Sequence, residues 1–242
     1  MIAVSFDLRG TLVRDEPCEE RALIALGERI AVDRGCDAAA PARVTAAYAT
    51  VSADLAAGRV SLEAAGLRAL ESLYPGRIER ADGPAFRQLA AEAARRDTTA
   101  LPDARELLTR LAELAVPVAI LCNGWFAPEA ARAAAIGFAG PVLVPPVGSW
   151  KPSPKAFAML PELFRVTPER IWHVGRDPLA DIAGARGAGM NAVWIAADGE
   201  RYPAGVLEPT ETIARLGDLL GIISGPYTAS ALALRRLLIS QY

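Results

Sequence analysis

Two kinds of hydrophobic pattern alternate along this chain of 242 residues. Short apolar runs, typical of strands buried in a parallel sheet, occupy residues 2–6, 117–121, 141–145, 170–174 and 191–196. The segments between them have apolar residues every three or four positions, a spacing that predicts helices over residues 103–114, 128–135, 153–164 and 178–188. Alternating strands and helices predict an α/β fold with a doubly wound parallel (Rossmann-like) sheet at its core.

The stretch from residue 15 to residue 98 has a different pattern. It is rich in Ala, Leu, Arg and Glu, has helical periodicity and contains no convincing strand. We therefore expect a core formed by residues 1–14 and 99–222, with an inserted all-helical cap domain at residues 15–98. Residues 223–242 predict a C-terminal helical extension, whose apolar side we expect to pack against the chain's own core.

Composition narrows the class of protein. Hydrophobic residues make up 52% of the chain, and the formal net charge is −2, without a basic cluster that would indicate nucleic-acid binding. No apolar stretch approaches the roughly 18 residues of a membrane span. The three cysteines lack metal-ligand spacing, and no basic leader precedes the first apolar run. These features favour a cytoplasmic protein, and they leave open whether it forms a homo-oligomer.

The chain contains a single histidine, His173, which lies inside a predicted strand. Catalytic triads and multi-histidine metal sites are difficult to build from one imidazole. We therefore expect His173 to be a hydrogen-bonded structural residue.

Polar residues follow three of the predicted strands directly. Asp7 follows the first strand, the segment Cys122-Asn123-Gly124 follows the second, and Arg176-Asp177 follows the fourth. Parallel sheets bind ligands at the carboxyl ends of their strands. The convergence of these three segments predicts a functional site at that edge of the sheet.

Two further features belong to this predicted site. Of the 26 lysines and arginines, only Lys151 and Lys155 are lysine, and a compact ammonium suits an anion or a developing negative charge. We expect Lys151 to be functional and Lys155 to be a surface residue. Asp177 and Asp181 are four residues apart at the start of a predicted helix, so they share a face, although helix capping also explains Asp181.

Four segments, in this order, resemble the motifs of the haloacid dehalogenase-like (HAD) hydrolase superfamily: "FDLRGTL", "AILCNG", "WKPSPKAF" and "HVGRDPLADIAGARGAGM". The resemblance implies a helical cap after the first motif. It also implies that Asp7 is the nucleophile of a covalent intermediate that water then hydrolyses. Lys151 and Asn123 match their motif positions, and Cys122 lies where Thr or Ser is usual. Mg²⁺ is the usual cofactor, and here it would be held by Asp7, the Arg9 backbone carbonyl and Asp177.

Two arginines depart from the pattern of the phosphatases in this superfamily. Arg9 lies at the position of the general acid/base, and Arg176 at the first acidic position of the fourth motif. Each exchange of Asp for Arg adds two positive charges, and arginine remains protonated. We therefore expect Mg²⁺ to bind weakly or not at all, and we predict no cofactor. Arg9 and Arg176 would instead pair with Asp7, Asp177 or Asp181, or bind an anionic substrate.

The predicted function is a hydrolase that works without Mg²⁺ and uses Asp7 as the nucleophile on a small anionic organic molecule. Its chemistry would be dehalogenase-like or otherwise non-standard. Two alternatives remain open: a catalytically degenerate protein that binds an anionic ligand or a protein partner, and an atypical phosphatase or phosphotransferase. Thr11 and Gly124 are expected to contribute to substrate binding. Trp125 and Trp150 either line an apolar part of the pocket or pack in the core.

Overall fold

The computed structural model describes residues 1–56 and 59–224. Its centre is a sheet of six parallel strands in the order β3-β2-β1-β4-β5-β6. The strands are β1 (Ala3–Phe6), β2 (Val118–Leu121), β3 (Val142–Leu143), β4 (Ile171–Gly175), β5 (Asn191–Ile195) and β6 (Glu211–Ile213). The predicted α/β fold with a doubly wound parallel sheet is confirmed.

Helices cover both faces of the sheet. They are α5 (Ala104–Glu113), α6 (Phe126–Ala135), α7 (Pro154–Phe164), α8 (Gly184–Gly187) and α9 (Leu219–Ile223). Short 3₁₀ turns occupy Pro168–Arg170 and Leu216–Asp218. The helix predicted at 178–188 consists of a π-helical turn, Pro178–Ala183, followed directly by α8. One apolar cluster joins β1, α5 and α9, and another joins α7, β4 and β5.

Four helices between β1 and α5 form the cap. They are α1 (Cys18–Asp33), α2 (Pro41–Ala56), α3 (Leu62–Leu73) and α4 (Asp82–Asp97). Their buried faces form a hydrophobic cluster of their own, which includes Leu23, Leu70 and Phe86. The cap meets the core through small side chains, because Cys18, Ala93 and Ala94 pack against Ala131 of α6. The domain boundaries given above stay predictions.

Strand β6 was not predicted from the sequence. It has three residues at the edge of the sheet, and of these only Ile213 is buried. Such a strand has no apolar run because one neighbour alone covers it. Of the C-terminal extension predicted at residues 223–242, residues 225–242 lie outside the described residues. None of the described helices is long and apolar enough to cross a membrane.

The register of the sheet determines where the site lies. Phe6 at the end of β1 pairs with Ile120 of β2 on one side and with Val174 of β4 on the other. The three strands therefore end side by side, and the segments that follow them meet at the same edge. This is the edge at which the sequence analysis places the functional residues.

Candidate active site

The centre of the site is an ion triad of two aspartates and a lysine. The Lys151 ammonium donates to Asp7 Oδ1 and to Asp181 Oδ1, at 2.7 Å in each case. The Lys151 side chain is 2% exposed and the Asp7 side chain 16% exposed. The two acids follow β1 and β4, and Lys151 lies just before α7. Of the residues predicted for this edge, Asp7 and Lys151 therefore lie together, and Asp181, for which the sequence left a helix-capping role open, lies with them.

Burial makes the charge states of this triad unequal. Burial raises the pKa of Asp7 to about 6, although the Lys151 charge acts against this rise and the Asp181 charge adds to it. For Lys151, burial acts to lower the pKa, but the two carboxylates outweigh it and hold the pKa above its usual value. At neutral pH the triad therefore contains an ionised Asp7 beside a protonated lysine.

Asp181 is fixed on both of its oxygens. Besides the Lys151 contact, its Oδ2 accepts the amide protons of Arg176 at 3.0 Å and Asp177 at 2.9 Å. Burial raises the pKa of the Asp181 carboxyl, but Lys151 and then His173 outweigh it, so this pKa is below its usual range. Gly175 makes this approach possible, because a Cβ there would lie 2.4 Å from Asp181 side-chain atoms.

The helix-capping role belongs to Asp177 rather than to Asp181. Asp177 Oδ1 accepts the amide protons of Leu179 and Ala180 at 2.8 and 2.7 Å, in the manner of an N-cap residue. His173 is fully buried, and its Nδ1 lies 2.8 Å from Ser5 Oγ. This agrees with the expectation of a hydrogen-bonded structural histidine.

Asn123 holds the Lys151 segment against the end of β2. Its Oδ1 accepts the Lys151 amide proton at 2.8 Å, and its Nδ2 donates to the Lys151 carbonyl at 3.0 Å. The Asn123 side chain therefore binds the Lys151 backbone through two hydrogen bonds, much as a neighbouring strand would. These bonds position the backbone from which the Lys151 ammonium extends.

We expect Asn123→Ala to reduce turnover while the fold persists. The variant leaves the Lys151 amide and carbonyl without these partners, which costs about 1–3 kcal/mol. This loss corresponds to a fall in the melting temperature of roughly 2–12 °C for a chain of this size. Thermal melts and steady-state kinetics of the variant would measure both effects. A variant with unchanged kcat would show that Lys151 is positioned without Asn123.

The other residues predicted after β1 and β2 have different surroundings. Thr11 Oγ1 donates to Asp7 Oδ2 at 3.2 Å. The Cys122 thiol is buried 3.9 Å from the Leu143 carbonyl, and burial raises its pKa well above the usual value, so it stays a thiol. Gly124 has φ of 146°, and a Cβ there would lie 2.7 Å from Glu129 Oε1. Because glycine has no side chain, Glu129 fits beside it. Neither Cys122 nor Gly124 lines the cavity at Asp7.

Arg9 does not have the partners that we expected from the sequence. Its Nε donates to Glu129 Oε1 at 3.0 Å, and its terminal nitrogens contact Glu19 Oε1 at 2.5 Å and Asp15 Oδ1 at 3.3 Å. The expected pairing with Asp7, Asp177 or Asp181 is absent among these contacts. The guanidinium instead pairs with two buried glutamates, Glu19 and Glu129.

A cavity of about 380 Å³ opens over Asp7. Its walls are Asp7, Arg9, Gly10, Asn123, Lys151, Arg176, Asp177, Ala180 and Asp181. The Arg176 side chain is 50% exposed, and its guanidinium is 3.7 Å from Glu200. It is therefore the cation in these walls that is most available to an incoming anion.

The two tryptophans contact each other rather than this cavity. The rings of Trp125 and Trp150 meet edge to face, with centroids 5.4 Å apart. Trp125 packs against the hydrophobic cluster of the cap, and the Trp150 Nε1 donates to the Pro145 carbonyl at 3.0 Å. Of the two roles left open by the sequence, the described contacts favour packing.

Two of the oxygen donors that the resemblance implies for Mg²⁺ already accept hydrogen bonds: Asp7 from Lys151 and Thr11, and Asp177 Oδ1 from two backbone amides. Mg²⁺ requires oxygen ligands in near-octahedral geometry. Here Lys151 contacts Asp7 and Asp181 directly, and the second oxygen of Asp181 accepts two amide protons. Within residues 1–56 and 59–224, no group of three or more His, Cys, Asp or Glu side chains could hold a metal ion.

The sequence analysis missed three buried charges beside the site: Glu19, Glu129 and Arg132. Glu129 and Arg132 are the only charged residues in the alanine-rich helix α6, and they form an i,i+3 ion pair. Two opposite charges alone on an otherwise small and apolar helix were the signal in the sequence. Glu19 had no comparable signal, because acidic residues in the first turn of a helix are common.

Comparison with known proteins identifies the family of the chain. The family model of haloacid dehalogenase-like hydrolases matches residues 1–189. A phosphoserine phosphatase from Thermus thermophilus is 32% identical over 218 residues, which cover 78% of this chain and 86% of that protein.

Solved structures have the same fold. A HAD phosphatase from Thermococcus onnurineus superposes with a TM-score of 0.67 at 21% identity. A 2-haloacid dehalogenase from Pseudomonas syringae pv. Tomato DC3000 superposes with a TM-score of 0.67 at 23% identity. Each alignment covers 93% of this chain and 99% of the other. With the motif order, the sheet topology and the family match in agreement, the chain belongs to the haloacid dehalogenase-like hydrolase family.

Proposed function

We propose that this protein is a hydrolase that works without Mg²⁺ and uses Asp7 as the nucleophile on a small organic anion, with carbon–halogen cleavage as the best-supported chemistry. The observation that carries the proposal is the Asp7–Lys151–Asp181 triad, in which the Lys151 ammonium contacts both carboxylates at 2.7 Å and compensates their charge. Lys151 neutralises one carboxylate, so an ionised Asp7 persists in a buried position at neutral pH.

In the first step, a carboxylate oxygen of Asp7 attacks the carbon that bears the halogen. The new C–O bond forms as the C–halogen bond breaks, and the halide leaves with the bonding electrons. Oδ2 is the better candidate for attack, because its Thr11 contact of 3.2 Å is longer than the 2.7 Å contact between Oδ1 and Lys151. Halide departure needs no proton, so the absence of an acid at position 9 does not impede this step.

In the second step, water attacks the ester carbonyl of the Asp7 intermediate. The bond between Cγ and the ester oxygen, which came from Asp7, breaks, and that oxygen leaves with the substrate carbon. It takes up one of the two protons of the attacking water, so the Asp7 carboxylate is restored and a hydroxylated product is released. Asp177 is the carboxylate in the cavity walls that can accept the proton from water, because both oxygens of Asp181 already accept hydrogen bonds. The substrate's own anionic group would bind Arg176 through bidentate hydrogen bonds.

Phosphate-ester hydrolysis is the second candidate, and one observation favours it. The Thermus thermophilus relative at 32% identity is named a phosphoserine phosphatase. Two cations, Lys151 and Arg176, also line the cavity and suit a phosphoryl group. The weak point is the leaving group, because the Arg9 guanidinium is bound to two glutamates and does not release a proton at neutral pH, so it is a poor general acid.

A substrate panel with and without metal separates the two. Purified protein is assayed with short 2-haloalkanoates and with phosphate monoesters that include phosphoserine, each in excess EDTA and in millimolar Mg²⁺. We expect turnover of a haloalkanoate, with a rate that changes less than about twofold between the two conditions. An Asp7→Asn preparation assayed in parallel excludes a contaminating enzyme.

Each other outcome contradicts part of the proposal. Turnover of a phosphate ester only in Mg²⁺ would overturn the metal-free site and favour the phosphatase. Turnover of a phosphate ester in EDTA would support the metal-free site but contradict the proposed substrate. Inactivity across the panel, with haloalkanoates that raise the melting temperature, would favour a protein that binds anions without turnover.

A further inference from the structure

Four buried or half-buried charges form a closed ring beside the catalytic loop. Glu129 Oε1 accepts from Arg9 Nε and from an Arg132 terminal nitrogen, at 3.0 Å in both cases. Glu19 Oε1 contacts Arg9 at 2.5 Å and Arg132 at 3.3 Å. Each arginine thus contacts both glutamates, and the ring carries no net charge.

The ring joins three parts of the molecule. Arg9 belongs to the loop that carries Asp7, Glu19 lies in the first turn of cap helix α1, and Glu129 and Arg132 lie in core helix α6. The side chains of Glu129 and Arg132 are completely buried, that of Glu19 is 3% exposed and that of Arg9 is 29% exposed. The catalytic loop is therefore attached by charge to both the cap and the core.

The ring is not explained by stability alone. Buried ion networks lose much of their Coulomb energy to desolvation, and apolar side chains of similar size often stabilise a protein as well. Within the described residues, Glu129 Oε2 and Arg132 Nε are also buried without a hydrogen-bond partner. Unlike an apolar contact, such a network gives each charged side chain a defined orientation.

We propose that Glu19, Glu129 and Arg132 are positioning residues that act on the catalytic loop through Arg9, and that the position used for acid/base catalysis in the phosphatases serves here to fix the loop between cap and core. Arg9 is two residues from Asp7, and their loop turns at Gly10, where φ is 74°. Fixing Arg9 therefore restrains the direction of the Asp7 carboxylate. The expected change in kcat rests on the proposed function, in which Asp7 is the nucleophile. The attachment of the loop to cap and core does not.

Glu129 provides the sharpest test, because it is buried and is not a wall of the cavity at Asp7. We compare Arg9→Met, Glu129→Gln and the double variant with the wild type and with Arg14→Met, an exposed arginine nearby. If the other members of the ring act on the catalytic loop through Arg9, both single variants lower kcat at least fivefold with little change in KM. The double variant is then no worse than the more impaired single one, because residues that act as a unit are not additive.

A second measurement does not depend on any substrate. The linkers between core and cap are held by hydrogen bonds from the Arg14 amide to the Thr99 carbonyl and from the Leu101 amide to the Leu12 carbonyl, both 2.9 Å. We expect hydrogen exchange at these two amides to be about tenfold faster in Arg9→Met and in Glu129→Gln. Amides in β4, a central strand of the sheet, should keep their wild-type rates.

The outcomes assign the role unambiguously. A raised KM in Arg9→Met, with wild-type kinetics in Glu129→Gln, would overturn the inference and make Arg9 a substrate ligand. Unchanged exchange at the linker amides in both variants would overturn it as well, whatever the kinetics show. If the wild type has no turnover with any panel substrate, the proposed function fails, and the exchange measurement alone decides the inference.

Discussion

Lys151→Met is expected to be inactive and strongly destabilised. The ammonium is the cation that contacts both Asp7 and Asp181, and the Met side chain leaves two carboxylates facing each other in a buried site. Removing one partner of a buried ion pair costs about 3–5 kcal/mol. For a chain of this size this corresponds to a fall in the melting temperature of roughly 6–20 °C. We expect kcat to fall at least about 100-fold, as for the loss of other buried electrostatic groups.

The chain offers a matched control, because its one other lysine is Lys155, which is exposed at the start of α7. Lys155→Met should retain the wild-type melting temperature within about 2 °C, since surface substitutions usually change stability by less than about 0.5 kcal/mol. The loss of stability in Lys151→Met should be larger at pH 8 than at pH 5, because protonation of Asp7 at the lower pH removes one of the two facing negative charges. A Lys151→Met protein with wild-type stability at pH 8 would show that Asp7 and Asp181 do not need the cation.

The motif residues show what a sequence can predict about a site. Asp7, Lys151, Asn123 and Asp181 converge because each follows or precedes an element of the sheet, and strand ends in a parallel sheet meet at a common edge. Such a prediction requires only the order of the elements. The rarity of lysine in the chain then indicated which cation belongs to the site.

The partners of Arg9 could not be predicted in the same way. Its charge suggested a carboxylate as partner, and Asp7, Asp177 and Asp181 were the acids that the motifs supplied. Two of the three actual partners, Glu19 and Glu129, lie in α1 and α6 and come close only through the packing of the cap on the core. Side-chain direction after a strand end depends on such packing, which local sequence does not specify. Strand β6 was missed for a related reason, since its place is determined by one neighbouring strand.

Asp7→Asn is expected to lose turnover completely while it becomes more stable at neutral pH. An amide cannot attack carbon as the carboxylate does, and product formation should fall below detection. The pKa of Asp7, raised by burial from 3.8 to about 6, means that the folded protein binds this proton more tightly than the unfolded chain does. Stability from this group is therefore greatest at low pH and is lost as the pH rises from about 4 to about 6. Above this window the ionised Asp7 costs roughly 3 kcal/mol, which the neutral Asn avoids.

The pH dependence makes this prediction specific to Asp7. The melting temperatures of wild type and Asp7→Asn should agree at pH 4 and separate through pH 6, with the variant higher by up to roughly 10 °C at pH 8. The wild-type kcat/KM should fall below an apparent pKa of about 6, because the nucleophile must be ionised. A variant less stable than the wild type at pH 8 would mean that the contact with Lys151 outweighs the cost of burial. A single turnover in ¹⁸O-water that leaves no label in Asp7 would show that Asp7 activates water instead of attacking the substrate.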